Sequence, residues 1–205
     1  MADAAAPTDG LGGLGPGSAD DSPPLILPGS RLIFDGKTLE GWMCDASKWS
    51  VVDGAIDGHG SGNSFCWTAT DHDTFRVTGK SRMVQDPSNH AGICFWAPRG
   101  SSRCLQITPV SGSLWDYGGG GNARLLPRKR DYSKWNFFEL LVNLKTGTVD
   151  IAVEGEAMPT YKDRRLGSRQ KGPVGLQLHS GQNQVQYKDL ALEDNPTEMK
   201  LLTAK

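Results

Sequence analysis

From Leu32 onward, apolar residues recur at every second position rather than every third or fourth, which is the period of a half-buried strand. In residues 148–154, Val149, Ile151 and Val153 alternate with Asp150, Ala152 and Glu154. Just upstream, Phe138, Leu140, Val142 and Leu144 alternate with Phe137, Glu139, Leu141 and Asn143. The Lys145-Thr146-Gly147 turn between the two runs predicts a hairpin. Further strands are predicted over residues 49–52, 64–68, 74–84, 92–97, 103–108, 174–179 and 184–192. In the last of these, Val185 and Tyr187 share one face, and Leu190 and Leu192 then share the next series. That three-residue step predicts a β-bulge near Lys188 and Asp189. Many short strands, and no window for a helix longer than two turns, predict an all-β sandwich of two antiparallel sheets.

Composition agrees with this pattern. The 205 residues include 26 Gly, well above the roughly 14 expected at about 7% usage. No apolar run approaches the roughly 20 residues of a membrane-spanning helix, and residues 1–30 lack the apolar core of a secretory signal. With 22 Lys plus Arg against 23 Asp plus Glu, there is no broad basic field for nucleic acid. The first 30 residues hold four Asp, six Gly, five Pro and no Lys or Arg, a composition that cannot offset its own ordering entropy. The expected organisation is a disordered tail or linker over 1–30, a sandwich domain over 31–195 and a C-terminal tail over 196–205. Cys44, Cys66, Cys94 and Cys104 have no zinc-type spacing. They allow either two disulfides or buried thiols, and the reading favours thiols.

Candidate chemistry follows from which side chains face outward. If Val174, Leu176 and Leu178 face the core, Gln177 and His179 are neighbours on the opposite face. Likewise Leu105 and Ile107 send Cys104, Gln106 and Thr108 outward, and Ile93 and Phe95 are opposed by Cys94 and Trp96. Singly, each is an ordinary residue of an amphipathic sheet. Together, Trp96, Gln106, Gln177 and His179 make an aromatic and amide surface suited to sugars, because indole stacks on a pyranose while amides and imidazole pair with hydroxyls. Other motifs are negative. The run of glycines at 118–121 lacks a phosphate loop's Lys-Ser or Lys-Thr. No G-x-S-x-G elbow, H-E-x-x-H or closely spaced carboxylate set occurs. Asp71-His72-Asp73 reads as a polar loop. Arg124, Arg128, Lys129 and Arg130, and later Arg164, Arg165, Arg169 and Lys171, read as solvated loop cations.

The ordered motifs Leu32-Ile-Phe-Asp-Gly-Lys-Thr-Leu-Glu-Gly-Trp42, Trp49-Ser-Val-Val-Asp-Gly54, His90-Ala-Gly-Ile93, Leu105-Gln-Ile107, Gly112-Ser-Leu-Trp115, Trp135-Asn136 and Gly172-Pro-Val-Gly-Leu-Gln-Leu-His179 resemble the 3-keto-disaccharide hydrolase-like domain family. The resemblance covers about residues 32–193. It implies a concanavalin A-like jelly-roll β-sandwich whose concave sheet takes a carbohydrate, and an exported setting, extracellular or periplasmic. It also implies cleavage of glycosides already oxidised at C3. The ketone acidifies the C2 hydrogen, a base removes it, the anomeric substituent leaves by β-elimination, and water adds to the enone. On that reading His179 is the base, since imidazole exchanges a proton near neutral pH. Gln106 and Gln177 orient the sugar or stabilise the oxyanion, and Trp96 or Trp115 stacks on it. The resemblance leaves room for a divalent cation at the enolate. The chain also departs from the family pattern. Cys104 stands where the family usually has Glu, His90-Ala91 where it has Asn-Ser, Trp96 where it has Arg, Glu154 where it has the Asn of an Asn-Gly turn, and Lys188-Asp189 where it has Arg-Asn. With those changes, a carbohydrate-binding or adhesion module without turnover is the alternative function.

Overall fold

A computed structural model describes residues 20, 22–85, 92–99, 101, 103–118, 121–123, 130–179 and 181–205. Among these residues the chain forms sixteen strands and no α-helix. In chain order they are β1 (Arg31–Leu32), β2 (Trp42–Met43), β3 (Trp49–Val52), β4 (Ala55–Gly60), β5 (Ser64–His72), β6 (Thr74–Gln85), β7 (Gly92–Phe95) and β8 (Leu105–Thr108). The second half comprises β9 (Ser113–Asp116), β10 (Gly121–Ala123), β11 (Asn136–Asn143), β12 (Thr148–Val153), β13 (Glu156–Ala157), β14 (Tyr161–Lys162), β15 (Gly172–Leu178) and β16 (Asn183–Asp194). Sheet A runs β13-β12-β11-β6-β16-β4-β3, with β1 on β16 and β14 on β12, and sheet B runs β10-β9-β8-β7-β15-β5-β2. Every pairing is antiparallel. This is the expected two-sheet sandwich.

The period-two aliphatics meet between the sheets. Phe138, Leu140 and Val142 of β11, Val149, Ile151 and Val153 of β12, and Val185, Tyr187, Leu190 and Leu192 of β16 pack against Ile93, Phe95, Leu105, Ile107, Leu176 and Leu178 of sheet B. The predicted hairpin pairs Val142 with Val149. The predicted bulge is present, because the β16–β6 register shifts between Lys188 and Ala191. Asp189 takes a φ of 57° there, a left-handed position that a short acidic side chain tolerates. Beyond it Leu190 turns back inward, and an added Cβ on Gly79 would sit 2.6 Å from its Cδ2. Glu154 also has a left-handed φ, 53°. Its carboxylate accepts the Phe137 amide, which helps hold the turn where an Asn would fit unaided.

Described residues of both chain ends make contacts with the sandwich. Lys80 pairs with Asp20 at 2.6 Å and with Asp189 at 3.1 Å. Its ammonium also donates to Ser22 Oγ at 2.7 Å, so the end of the 1–30 segment is held on the outer face of sheet A. Residues 1–19 and 21 lie outside the described residues. At the other end, buried Arg76 donates to Glu139 Oε1 at 2.9 Å, pairs with Glu193, and donates to the Glu198 and Lys200 carbonyls at 2.6 and 2.9 Å. Glu139 in turn accepts the Leu202 and Thr203 amides at 2.8–2.9 Å and the Thr203 hydroxyl at 2.7 Å. Residues 198–203 are therefore a strap over two buried charges.

The cysteines split into two pairs. Cys44 and Cys66 form a disulfide, correcting the expectation of four thiols. The antiparallel pairing of β2 with β5 brings them together, and separations along the chain do not reveal such proximity. Cys94 and Cys104 remain buried thiols. Arg169 is not a solvated loop cation either. It is buried between Asp116, at 2.8 Å, and Asp163, at 2.7 Å. His72 ends β5 as a buried side chain, with Nδ1 2.6 Å from Asp194 Oδ1, so it belongs to a strand rather than a polar loop.

Glu139→Ala removes the acceptor shared by Arg76 and the strap. Unfolding in urea is expected to show a loss of about 3–5 kcal/mol, the scale of leaving a buried charge unpaired. Hydrogen exchange should quicken at Leu202 and Thr203. An unchanged midpoint would contradict this role for the ion pair.

Candidate functional site

The candidate site lies on the face of sheet B that points away from the core. Register places Met43, Trp67, Gly175, Cys94, Gln106 and Trp115 opposite one another in a single row across β2, β5, β15, β7, β8 and β9. The next row holds Phe65, Gln177 and Gly92. Because Cys66, Leu176, Ile93, Leu105, Ile107 and Leu114 fill the core, these rows must face outward.

Two glycines let side chains lie flat on this face. An added Cβ on Gly92 would lie 2.3 Å from Gln106 Nε2 and 2.5 Å from its Cγ, so the glutamine is folded across the Gly92 backbone. At Gly175 a Cβ would lie 2.3 Å from Cε3 and Cζ3 of Trp67, whose ring covers that glycine. Phe65 stacks on Trp67 with centroids 5.0 Å apart and an interplanar angle of 16°. Trp67, Cys94, Ala97 and Cys104 form a small apolar cluster with Phe65 against it.

Beside that cluster, several buried polar atoms lack partners among the described residues. Gln106 is 0% exposed, and among the described residues neither its Oε1 nor its Nε2 has a hydrogen-bond partner. Gln177 Nε2 donates to Asn63 Oδ1 at 2.8 Å, while Gln177 Oε1 and Thr108 Oγ1 are also unpartnered. Leaving a buried polar group unsatisfied costs about 1–3 kcal/mol. Native folds keep such groups mainly where something else uses them. Tyr117 follows β9, its amide donating to the Cys104 carbonyl at 3.1 Å. Burial pushes its phenol above the ordinary tyrosine range, with the Gln177 amide working in the opposite direction. Burial, together with neighbouring Cys104, likewise pushes the Cys94 thiol well up.

The expected site residues fare differently. Gln106, Gln177 and Trp115 share the outer face, Trp115 being the register partner of Gln106. His179 follows β15, one outward step beyond Gln177, and is partly exposed, with its carbonyl accepting Asn183 Nδ2 at 2.8 Å. Cys104 lies on the same face, buried against Cys94. Trp96 is a correction. Its φ of 59° breaks the alternation, so its indole turns into the core beside Phe95, 1% exposed, with Nε1 donating to the Asp73 carbonyl at 2.7 Å. It cannot be a sugar platform. His90 lies outside the described residues, as do Arg124, Arg128 and Lys129. Phe65, Trp67 and Tyr117 were not anticipated. The alternation of Phe65 and Trp67 about Cys66 carries the signal for the first two, whereas Tyr117 follows a strand end where periodicity is silent.

No group of three or more His, Cys, Asp or Glu side chains among the described residues is arranged to hold a metal ion. Around Gln106 the only hard donors are neutral carboxamide oxygens, with no carboxylate beside them among the described residues, a poor set for a divalent cation whose sites are built on carboxylates. No chemical step is routed through one here.

Gly92→Ala drives a methyl group into Gln106 and toward the Ile107 carbonyl, 2.6 Å from the added Cβ. A loss of about 1–3 kcal/mol is expected in thermal unfolding, the scale of overpacking. A crystal structure of the variant should show the Gln106 side chain displaced. An undisturbed Gln106 at full stability would contradict the close approach.

Comparison with solved structures gives the same sandwich. A protein of Parabacteroides distasonis, provisionally named a glycosyl hydrolase, aligns with a TM-score of 0.61 at 17% identity, over 82% of this chain and 94% of its own. The carbohydrate binding module CBM66 from Bacillus subtilis aligns at 0.61 and 12% identity, over 75% and 96%. A Bacillus subtilis protein with a galectin-like fold aligns at 0.54 and 15%, over 76% and 90%. At these identities the likeness is one of fold. No curated protein matches the sequence. The sequence pattern of one domain family does match, across residues 29–193, from just before β1 to near the end of β16. The chain belongs to the 3-keto-alpha-glucoside-1,2-lyase-like domain family.

Proposed function

We propose that the outer face of sheet B binds a carbohydrate and cleaves 3-keto-glycosides by C2 proton abstraction and β-elimination. The observation that carries this reading is the Gln106 carboxamide, buried with donor and acceptor both unpartnered, in register with the Trp115 indole. A carboxamide offers both halves of a hydrogen-bond exchange with sugar hydroxyls, and an indole supplies the apolar face on which a pyranose stacks. Gln177 Oε1 adds an acceptor one row away. Family membership supports the keto-glycoside as substrate class.

In the reaction, His179 takes the C2 proton that the C3 ketone acidifies. The electrons of that C–H bond form the C2–C3 double bond of an enolate, and as the C3 ketone re-forms they become the C1–C2 double bond while the C1–O bond breaks, the departing oxygen taking a proton from solvent. Gln106 Nε2 donates to the enolate oxygen, and water then adds to C1. Confining charge development to a buried donor is what makes such a hydrogen bond effective. The reading includes an exported, oxidising setting, which the Cys44–Cys66 disulfide supports.

A second reading, a binding or adhesion module without turnover, is favoured by one feature. Gln106, Gln177 and Thr108, the unpartnered groups on this face, are all neutral.

Leaving-group release from a chromogenic 3-keto-glucoside, beside the unoxidised glucoside, separates the two readings. Release confined to the keto substrate is expected, and His179→Ala should lower it by about 10²- to 10⁴-fold, the usual contribution of a positioned base. Unchanged turnover in that variant would remove His179 from the role. Folded protein silent on both substrates would leave the binding module.

A further inference from the structure

A second group of reactive side chains lies at the rim of the sandwich, away from the row through Gln106. We propose that Thr70 is a nucleophile for acyl transfer, activated by His72 and Asp194, and that it acts on small carboxylic esters. The proposal is independent of the sugar-binding reading of sheet B.

Only Asp73 separates β5 from β6, so the chain crosses from sheet B to sheet A immediately after His72. The end of β16 lies on the same rim, because Asp194 is the register partner of Phe75. That crossing brings Asp194 Oδ1 to 2.6 Å from His72 Nδ1, across 122 positions of sequence. Thr70 and His72, two apart in β5, share a strand face, and Thr70 Oγ1 lies 3.0 Å from His72 Nε2. An ionised carboxylate only accepts, so in the neutral imidazole Nδ1 carries the proton and Nε2 is the acceptor. The Thr70 hydroxyl is then the donor, its proton aimed at a base. A hydroxyl, a base and a third group that orients the base, all within hydrogen-bond reach, form the arrangement that activates a nucleophile. Phe75 makes an edge contact with the imidazole, centroids 5.9 Å apart, and helps hold the ring in place.

Exposure of one partner separates this group from an ordinary core histidine. His72 is 3% exposed, and a core would satisfy its Nε2 with an enclosed group. Thr70 is exposed instead, and it lines a cleft of about 410 Å³. Leu32, Ile33 and Phe34 line the same cleft and offer apolar surface to a short acyl chain. Arg31 lines it too, 3.7 Å from Asp194 Oδ2, and supplies positive charge for an oxyanion.

The step needs only ester and water. His72 Nε2 takes the Thr70 proton as Oγ1 attacks the ester carbonyl. The tetrahedral intermediate collapses, the alkoxide leaves with the proton held on Nε2, and the acyl group stays on Oγ1. Water then attacks the acyl carbon, giving its proton to Nε2, which returns it to Oγ1 as the carboxylic acid departs.

The test treats the full chain with 4-nitrophenyl acetate, follows nitrophenol release and locates the acetyl group by mass spectrometry of the digested protein. An acetyl adduct on Thr70 is expected. Thr70→Val, which keeps the shape of the side chain, should lose the adduct at an unchanged melting temperature, and Thr70→Ser should retain it. Asp194→Asn should lower kcat by about 10²- to 10⁴-fold with KM within about 3-fold, as loss of a group that positions the base requires. Folded wild type without an adduct, an adduct confined to other residues, or release undiminished in Thr70→Val would overturn the proposal.

Discussion

The central strands of sheet B are buried on both faces. All of β7, β8 and β15 is buried, although only one face of those strands meets the sandwich core. A strand buried on both sides usually carries apolar side chains throughout. Here the outward positions of β8 and β15 carry Gln106, Thr108 and Gln177 instead, each with a polar atom left unpartnered. Those atoms oppose folding, and the core offsets them. The arrangement also requires the missing side chains of Gly92 and Gly175, since a methyl group at either would occupy the space of Gln106 or Trp67. A face built at that energetic cost has a ligand as its simplest physical explanation.

The remainder of the structure keeps this face rigid. Tyr187 reaches from sheet A through the core, its hydroxyl 3.3 Å from the carbonyls of Gly92 and Gln177, so the two sheets are joined beneath the site. Tyr187 points inward because the bulge after Lys188 allows both it and Leu190 to face the core. The Arg76–Glu139 pair fixes the C-terminal strap, and the Asp116–Arg169–Asp163 cluster fixes the end of β9. Neither cluster touches the row through Gln106. Both secure elements that flank or back it.

Local periodicity carried much of this. The hairpin of β11 and β12, the bulge in β16, and the outward placement of Gln106 and Gln177 all follow from counting in twos, and Asp189 at the bulge and Glu154 at the turn after β12 take left-handed backbone. Counting failed at Trp96 because one residue with a positive φ reverses the facing of everything after it, and no apolar pattern reveals that reversal. The ion pairs were illegible for a different reason. Arg76 meets Glu139 and Glu193 across 63 and 117 positions, and the cysteine partners are set by pairing of β2 with β5, so only the folded topology brings them together.

The central claim is that the unpartnered carboxamides of sheet B are the groups that receive the sugar. The most direct test is a titration of ¹⁵N-labelled protein with methyl 3-keto-α-glucoside, following the side-chain amide signals of glutamines. Gln106 and Gln177 should shift saturably, while Gln184 and Gln186, whose amides are already committed to Asp57 at 2.7 and 2.8 Å in sheet A, should stay in place. Movement at Gln184 and Gln186 with silence at Gln106 and Gln177 would put the ligand on the wrong sheet and contradict the claim.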